Sequence, residues 1–275
     1  MIIIDAQETD QISLTDRGLH YADGLFETIA VSHGQAILAD AHLSRLSAGA
    51  DRLGITVPDW RQVEHTVHSS VAGVERGVLK LILTRGSGGR GYRPPTPAEP
   101  RLIHSLHDWP DFAEAWYQQG VRIRWCQTPV SRNARLAGMK HMARLENVLA
   151  RGEWSDPEIA EGLMLDDTGC VIEGTSSNLF VVDAEGIKTP ELSHAGVAGV
   201  MRGWIMSALS DSGRSVIETS LRREDIEQAQ EVFLTNSVIG LWPVRQIGEH
   251  HLAPGSVARS IQTMIEGLGG GVWGC

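Results

Sequence analysis

The chain has 275 residues, of which 42% are hydrophobic and 21% are charged, as expected for one large or two modest globular domains. Its formal net charge of -10 at pH 7 argues against a nucleic-acid partner, because phosphate binding needs a basic surface. The N-terminal Met-Ile-Ile-Ile-Asp-Ala lacks the basic start of a signal peptide, and no apolar run approaches the roughly 18 residues that cross a bilayer.

The cysteines and histidines do not indicate a metal site. Cys126, Cys170 and Cys275 are scattered and form no C-x-x-C pair, which is typical of reduced thiols in a cytoplasmic protein rather than of a disulfide framework or a zinc site. His104 and His107 are three residues apart where a strand is predicted to end, so they are expected to face opposite sides.

The first part of the chain is predicted to mix strands and helices. Residues 2–4 are a short buried strand, and residues 26–31 and 36–38 form a hairpin. Asp40 is predicted to cap a helix that ends at Gly54. A further helix is predicted at 60–74 and strands at 77–84 and 101–106, with a glycine-rich loop at 85–91.

A change of composition near Asp108 predicts a linker over residues 109–120. Beyond it, the helix predicted over about 147–152 is expected to begin near Lys140 itself, and the glycine-rich stretch 267–271 is predicted to be loose. The other strands are predicted at 121–125, 161–165, 169–172, 178–182 and 231–235, and the helices at 147–152, 199–209 and 223–228.

Strands joined by short turns favour a barrel-like sheet in the second part over a doubly wound one. We therefore predict an α+β fold of two domains, a smaller N-terminal α/β domain at 1–108 and a larger C-terminal barrel-like β domain with helices at 121–275. No G-x-G-x-x-G run follows a strand and opens a helix, and the loop at 85–91 lacks the ending of a P-loop. A nucleotide site is therefore not predicted.

Lys140 and Glu173 suggest chemistry with pyridoxal 5'-phosphate (PLP). Lys140 stands in the run Leu-Ala-Gly-Met-Lys-His-Met, and Glu173 leads into Gly-Thr-Ser-Ser-Asn. A lysine amine can condense with the aldehyde of PLP, and a carboxylate can keep the pyridine nitrogen protonated so that the ring draws electrons. Either residue alone is much more often a solvated surface charge, so the hypothesis depends on the rest of the chain.

Three further places could hold the phosphate of such a cofactor. Val200 and Met201 open a predicted helix, where free amides and the helix dipole favour an anion. Ser237 follows Asn236 after a predicted strand, and Arg45 lies beside an apolar helix stripe from which its fork could reach a phosphate. The structural alternatives are an ordinary helix start, a common strand-to-turn segment and an arginine that packs along the core.

Arg85 and Arg90 lie in the glycine-rich loop at 85–91. Glycines allow a loop to approach a ligand, and two guanidinium groups suit a substrate with carboxylates. The alternative is a mobile surface loop with solvated charges, which the sequence does not exclude.

The run Asp-Arg-Gly-Leu-His-Tyr-Ala-Asp-Gly-Leu-Phe-Glu-Thr at 16–28 resembles the fold-type IV PLP enzymes, and the resemblance extends over nearly the whole chain. That family includes branched-chain aminotransferases, D-amino-acid aminotransferases and 4-amino-4-deoxychorismate lyases. The segments at 79–92 and 136–151 are most similar to the lyases. The resemblance implies a homodimer with the cofactor between two domains, and a loop at 85–91 that could reach the partner's site.

Position by position, the resemblance implies that Lys140 binds the cofactor covalently and that Glu173 contacts the pyridine nitrogen. Thr28 corresponds to a position that faces the cofactor. The phosphate ligands that the resemblance implies are Arg45, Val200, Met201, Asn236 and Ser237. Leu145 departs from the aminotransferases, which place a tyrosine there, and this difference weakens a branched-chain aminotransferase assignment.

The activity that the resemblance implies is a PLP-dependent lyase of folate biosynthesis, which converts 4-amino-4-deoxychorismate to 4-aminobenzoate and pyruvate. Lys140 would act as the base, and either Lys140 or Thr28 would deliver the second proton. One alternative is a D-amino-acid or branched-chain aminotransferase of the same fold. The other is a PLP-binding scaffold without catalysis, which the complete set of cofactor residues disfavours.

Overall fold

The computed structural model describes residues 2–5, 7–57 and 59–273, so the prediction for Cys275 lies outside the described residues. The chain divides into two compact units. Unit 1 comprises Met1–Pro110 and Met139–Ala143, and unit 2 comprises Asp111–Gly138 and Arg144–Cys275. The break after Pro110 falls inside the stretch at 109–120 that we predict as a linker. No feature of the sequence indicates that residues 139–143 return to unit 1.

Unit 1 is built on one antiparallel sheet. Its described residues form β1 (Ile2–Ile4), β2 (Gln7–Glu8), α1 (Arg17–Tyr21), β3 (Gly24–Ser32), β4 (Gln35–Ala36), α2 (Ala39–Leu53), α3 (Trp60–Val71), β5 (Arg76–Thr84) and β6 (Arg101–His107). The strand order is β2-β1-β6-β5-β3-β4. The neighbouring strands β3 and β5 pair along their whole length, from Gly24 opposite Thr84 to Ser32 opposite Arg76. The predicted hairpin is present as β3 and β4.

The core of unit 1 lies between this sheet and its helices. Alternate residues of β3 and β5, including Ile29 and Leu79, are fully buried and pack with Val67 and Val71 of α3. This arrangement follows from the alternation of side chains along a strand and from the three- to four-residue spacing on a helix. Burial of such side chains from water is the main source of the stability of the unit.

Two helix boundaries in unit 1 differ from the prediction. Helix α2 begins at Ala39, and its N-cap is Leu38 in the left-handed region with φ 56°, so Asp40 is not the cap. Asp40 lies instead in the first turn, where a carboxylate interacts favourably with the helix dipole. Gly54 ends the helix as predicted, with φ 66°. Helix α3 ends at Val71, three residues before the predicted end.

Unit 2 contains the remaining elements. Its described residues form α4 (Glu114–Gln118), β7 (Val121–Trp125), α5 (Leu145–Arg151), β8 (Ile159–Leu165), β9 (Val171–Gly174), β10 (Asn178–Asp183), β11 (Gly186–Pro190), α6 (Val200–Asp211), β12 (Val216–Thr219), α7 (Arg223–Glu227), β13 (Glu231–Asn236), β14 (Gly240–Ile247), β15 (His250–His251) and α8 (Ser256–Gly269). The strand order is β12-β11-β10-β13-β14-β7-β8-β9, and β15 pairs with β14.

The sheet of unit 2 curls on itself. Val171 on β9, at one end of the sheet, pairs with Leu221, which follows the strand at the other end, β12. The β11–β12, β14–β7 and β7–β8 pairs are parallel and the others in the strand order are antiparallel, so the sheet is mixed. The predicted α+β class with a barrel-like sheet in the second part is confirmed.

Two predictions in this part of the chain are wrong. The predicted helix does not begin near Lys140, because residues 140 and 142 make strand-like hydrogen bonds instead, and α5 starts only at Leu145. The glycine-rich stretch 267–271 is not loose. Helix α8 continues to Gly269, and Trp273 beyond it is only 1% exposed.

The described residues also bear on membranes, metals and disulfides. None of their helices combines the length and the apolar character needed to span a bilayer. They bring together no group of three or more histidine, cysteine or carboxylate side chains that could hold a metal ion. Cys126 and Cys170 are both free thiols, and burial raises the pKa of Cys126 to about 12.

Candidate active site

Lys140 is held beside β3 in unit 1. The amide of Phe26 donates to the carbonyl of Lys140 at 3.0 Å, and the amide of Met142 donates to the carbonyl of Gly24 at 3.0 Å. These bonds fix the backbone on both sides of Lys140 in an extended form. The Nζ atom lies 4.4 Å from the centre of the Phe26 ring, so the ring covers one side of the amine.

Thr28 lies on the same face of β3 as Phe26, because side chains two residues apart on a strand point the same way. Both side chains are half-buried, whereas Leu25, Glu27 and Ile29 on the other face are buried. The structure therefore places Thr28 and the ring under Lys140 on one surface of unit 1. The expected participation of Thr28 in proton transfer stays a prediction.

Arg45 forms a buried cluster with Glu27 and His42. Its Nε donates to Glu27 Oε1 at 2.8 Å and its Nη2 donates to Oε2, so the carboxylate receives both arms of the fork. His42 Nδ1 lies 2.6 Å from the same Oε2, and His42 and Glu27 are at most 1% exposed. Strand β3 supplies the carboxylate, and α2 presents the two partners one turn apart.

The charges of this cluster follow from its burial and contacts. Burial raises the pKa of Glu27, but hydrogen bonds from His42 and Arg45 outweigh that effect and leave the pKa below its ordinary value. Burial lowers the pKa of His42 more than its contact with Glu27 raises it, and the charges of Arg45 and Lys140 lower it further. At neutral pH a neutral His42 therefore donates to an ionised Glu27, which holds a cationic Arg45.

Acid should weaken the fold through His42. Its pKa in the folded state is depressed, so unfolding takes up a proton once the pH is below the unfolded value of about 6.5. The stability that the neutral ring supports is complete above that pH and is lost as the pH falls. His42→Gln keeps an N–H donor that does not titrate. Between pH 6.5 and 5.5 its free energy of unfolding should fall less than that of the wild type, by at most about 1 kcal/mol.

Urea unfolding at a series of pH values measures this difference. His65→Gln on α3 is the matched control, because His65 is exposed, and it should keep the wild-type slope. If His42→Gln and the wild type lose stability in parallel between pH 6.5 and 5.5, the neutral state of His42 in the folded protein is contradicted.

Glu173 is buried in unit 2, where β9 carries it. It is 4% exposed, and its Oε2 accepts a hydrogen bond from the amide of Val197 at 2.8 Å. Gly196 adopts φ 79°, and a Cβ added there would come within 3.2 Å of Oε2. The segment before α6 therefore passes close to the carboxylate, and glycine at 196 permits both the backbone conformation and the approach.

The N-terminus of α6 suits an anion. Gly199 is its N-cap without a side-chain hydrogen bond, and the helical ladder begins with Gly203 donating to Gly199 at 3.0 Å. The amides of Val200 and Met201 precede that ladder, and the helix dipole adds partial positive charge there. A Cβ at Gly199 would meet Asn178 Oδ1 at 1.9 Å, so only glycine fits. These features fit a phosphate group.

Asn236 is the last residue of β13, and Ser237 follows it in the turn to β14. The Oδ1 of Asn236 accepts from the amides of Val238 and Ile239, each at 2.8 Å, and its Nδ2 donates to the carbonyl of Ser176 at 3.0 Å. The side chain of Asn236 thus shapes the turn, which leaves its backbone as the part that could meet a ligand. Ser237 is half-buried, and its hydroxyl stays a predicted phosphate ligand.

The two arginines of the glycine-rich loop differ in their surroundings. Arg85 is buried, and its fork donates to both oxygens of Asp23, at 2.7 and 2.9 Å, and to the carbonyls of Leu53 and Gly54 at 2.8 Å. A substrate carboxylate would have to displace these partners. Arg90 is exposed. Of the two predicted substrate ligands, Arg90 is therefore the better placed.

The loop that carries Arg90 is attached to the rest of unit 1 by Arg17. This side chain is 4% exposed and donates to Asp23 at 2.8 Å and to the carbonyls of Gly91 and Tyr92 at 3.0 and 3.1 Å. Asp23 thus binds two arginines. Burial raises the pKa of Asp23, but the hydrogen bonds from Arg85 and Arg17 outweigh that effect and leave the pKa below its ordinary value. These hydrogen bonds tie the end of the loop to Arg17, while Arg90 is exposed.

Sequence analysis missed two buried carboxylates near these residues. Glu27 lies between Leu25 and Ile29 on one face of β3, and a charged residue in such a pattern is the signal that it needs a partner. Glu161 on β8 is 3% exposed and accepts from Gly162, Thr175, Ser176 and Ser177 at distances that include 2.8, 2.9 and 3.0 Å. It thereby fixes the turn that follows Glu173. Its signal is the same, a glutamate in a strand that is otherwise apolar.

Each unit carries groups of the kinds that bind PLP. Unit 1 supplies the amine of Lys140 and the guanidinium of Arg45. Unit 2 supplies the buried carboxylate of Glu173, the amides at the start of α6 and the hydroxyl of Ser237. An amine, a carboxylate and several anion-binding groups are what an aldehyde, a pyridine nitrogen and a phosphate require.

Comparison with known proteins shows the family. The family model described as amino-transferase class IV matches residues 24–247. The chain belongs to the class IV aminotransferase family. It is 36% identical over 247 residues to an aminodeoxychorismate lyase of Vibrio harveyi, with 90% of this chain and 91% of that protein covered. It is 25% identical to a D-alanine aminotransferase of Bacillus licheniformis, over 93% and 90% of the two chains.

Solved structures agree with this assignment. A 4-amino-4-deoxychorismate lyase from Pseudomonas aeruginosa is 42% identical, with a TM-score of 0.94 over 97% of this chain and 98% of that one. A branched-chain amino acid aminotransferase of Escherichia coli has a TM-score of 0.87 over 98% and 95% of the chains at 21% identity, which shows a shared fold. The predicted membership of the fold-type IV enzymes is confirmed.

Proposed function

We propose that this protein is a PLP-dependent lyase that converts 4-amino-4-deoxychorismate to 4-aminobenzoate and pyruvate, a step of folate biosynthesis. The observation that carries the proposal is the similarity over nearly the full length to two lyases named for this substrate, at 36% and 42% identity. Leu145 adds support, because the aminotransferases are expected to place a tyrosine at that position.

The cofactor would be held by the residues described above. Lys140 would bind its aldehyde carbon, and Glu173 would keep its ring nitrogen protonated. Arg45, the amides of Val200 and Met201, and Ser237 would bind its phosphate, with Asn236 shaping the turn. When bound, PLP supplies a positively charged ring that draws electrons from the substrate carbon attached to nitrogen.

The protein's own groups then move two protons. Lys140 takes the proton from the ring carbon that bears the amino group, as a general base whose amine is held over Phe26. The bond between the neighbouring ring carbon and the ether oxygen breaks with its electrons on oxygen, so that the ring becomes aromatic and the enolate of pyruvate is released. Lys140 or Thr28 gives a proton to the methylene carbon of that enolate, which completes pyruvate. Aromatisation provides the driving force.

Arg90 is our candidate for a substrate carboxylate. It is exposed on a loop whose carbonyls are held by Arg17, whereas the fork of Arg85 is already bound to Asp23, Leu53 and Gly54. A guanidinium group on a fixed loop suits bidentate recognition of a carboxylate.

The protein is proposed to act as a cytoplasmic homodimer. Leu145, Val148 and Leu149 lie on one face of α5 and are 77%, 65% and 64% exposed, and an apolar face of this kind is typical of an association surface. The free thiols Cys126 and Cys170 support a reducing compartment. The net charge of -10 supports a small-molecule substrate over nucleic acid.

The direct test supplies 4-amino-4-deoxychorismate to the purified protein loaded with PLP. We expect 4-aminobenzoate and pyruvate in equal amounts. A second incubation supplies D-alanine or L-leucine with 2-oxoglutarate and follows transfer of the amino group, because an aminotransferase shares every cofactor residue. Rapid amino-group exchange without 4-aminobenzoate would identify an aminotransferase. Bound PLP without either reaction would indicate a protein that binds the cofactor and does not catalyse.

A further inference from the structure

The glycine-rich end of the chain folds back onto unit 2. Beyond α8, Gly270 and Gly271 adopt φ 61° and 82°, a region that favours glycine, and the chain reverses direction there. The amide of Gly271 donates to Glu266 and that of Val272 to Gly269, both at 3.3 Å. The reversal carries Trp273 into the interior, where it is 1% exposed.

Trp273 contacts the turn between β13 and β14 at two points. Its indole Nε1 donates to the carbonyl of Ser237 at 3.2 Å. Its ring lies against the backbone of Gly240, since a Cβ added to Gly240 would fall 2.8 Å from Trp273 Cγ. A Cβ added to Gly269 would also meet the ring, at 2.5 Å. The ring is therefore enclosed between the turn and the end of α8.

The same turn is braced from within. Thr235 Oγ1 donates to the carbonyl of Gly240 at 2.6 Å, and Asn236 Oδ1 accepts from the amides of Val238 and Ile239. These bonds fix the positions on either side of Ser237. The bond from Trp273 acts on the carbonyl of Ser237 itself and so restrains the stretch of backbone that carries the Ser237 hydroxyl.

We propose that Trp273 is a positioning residue for the phosphate of the cofactor. By binding the carbonyl of Ser237 and packing on Gly240, it holds the hydroxyl of Ser237 in the direction that a phosphate oxygen requires. The inference rests on the proposed role of Ser237 as a phosphate ligand. Hydrogen bonds to an ionised phosphate are strong and depend on direction, so a small rotation of the Ser237 peptide weakens binding.

Trp273→Phe tests the proposal, because it keeps an aromatic ring and removes the N–H donor. The full-length protein without cofactor is titrated with PLP and, separately, with pyridoxal, which lacks the phosphate, and the visible absorbance of the bound cofactor is followed. The Kd for PLP should rise about 3- to 10-fold, as for the loss of one hydrogen bond, and the Kd for pyridoxal should stay unchanged. Equal changes for both ligands, or none, would overturn the proposal.

Trp154→Phe is the matched control. Trp154 is also a buried tryptophan of unit 2, and its Nε1 donates to the carbonyl of Ile159 at 3.0 Å, outside the proposed phosphate site. This variant loses the same donor but should leave the ratio of the two Kd values at the wild-type level. A similar rise in the PLP value for Trp154→Phe would show a general effect of core damage and would overturn the proposal.

Ser237→Ala separates this inference from the assignment on which it rests. The single variant should weaken PLP binding, and adding Trp273→Phe should then have little further effect, because both act on one contact. Unchanged PLP affinity in Ser237→Ala would remove the phosphate role of Ser237 and the inference with it. None of these titrations depends on lyase activity. If Trp273→Phe fails to fold, the benzothienyl analogue of tryptophan at position 273 keeps the shape and removes the N–H donor.

Discussion

Replacing Lys140 with alanine is expected to abolish the lyase reaction. The Lys140→Ala variant loses both the amine that binds the cofactor covalently and the base that removes the substrate proton, so pyruvate release should fall by about a thousandfold or more. The visible absorbance of the lysine-bound cofactor should disappear with it. Both are measured on the purified variant after incubation with PLP, by a spectrum and by a pyruvate assay.

The fold should survive this change. The backbone of Lys140 is held by the hydrogen bond from the amide of Phe26 to its carbonyl and by the neighbouring bond from Met142 to Gly24. Alanine at position 140 keeps both bonds. Lys188→Ala is the matched control, because Lys188 lies on β11 in ion pairs with Asp183 and Glu185, at 2.7 and 2.6 Å. It should keep full activity. Undiminished pyruvate release by Lys140→Ala would refute the proposed mechanism.

Replacing Glu173 with glutamine is expected to slow turnover by about 100-fold while PLP stays bound. A buried carboxylate can keep the pyridine nitrogen protonated, whereas a neutral amide of the same shape cannot, and the loss of such electrostatic stabilisation typically costs that much in rate. The amide oxygen of glutamine can still accept the hydrogen bond from Val197. The fold around β9 should therefore be preserved.

Steady-state kinetics and a PLP titration distinguish the two effects. The expected pattern for Glu173→Gln is a lower kcat with the cofactor still bound. Glu158→Gln is a suitable control, since Glu158 is exposed and approaches Arg245 only at 4.0 Å. An unchanged kcat in Glu173→Gln would remove this carboxylate from its proposed role. Loss of PLP binding would instead show that Glu173 acts mainly as a structural acceptor.

Local pattern was a good guide to single elements. The alternation of β3, the apolar run of β5 and the Gly54 helix end are all visible in the chain because strand and helix periods depend on neighbouring residues. The predictions are wrong where contacts with residues far apart in the chain determine the local structure. Residues 140–142 have a sequence compatible with a helix, but their backbone groups bond to β3. Asp40 is a good capping residue, but the N-cap of α2 lies two residues earlier, at Leu38.

The sequence by itself determined the family and its chemistry. The motif at 16–28, the run around Lys140 and the segment from Glu173 identify a fold-type IV enzyme, and the match over residues 24–247 confirms that membership. Short motifs can do this because the groups that bind one cofactor recur with the same local neighbours. At Leu145 the sequence predicts a difference from the aminotransferases, which are expected to have a tyrosine there.

Only the tertiary structure decided which partners the functional side chains have. The sequence does not distinguish Arg85 from Arg90, since both lie in the same loop. In the structure Asp23 and two carbonyls bind Arg85, whereas Arg90 is exposed. The glycines at 267–271 predict a loose segment, but the indole of Trp273 beyond them is bound to the carbonyl of Ser237. In both cases the deciding contact joins residues far apart in the chain, and such a contact depends on how the elements pack rather than on any local period.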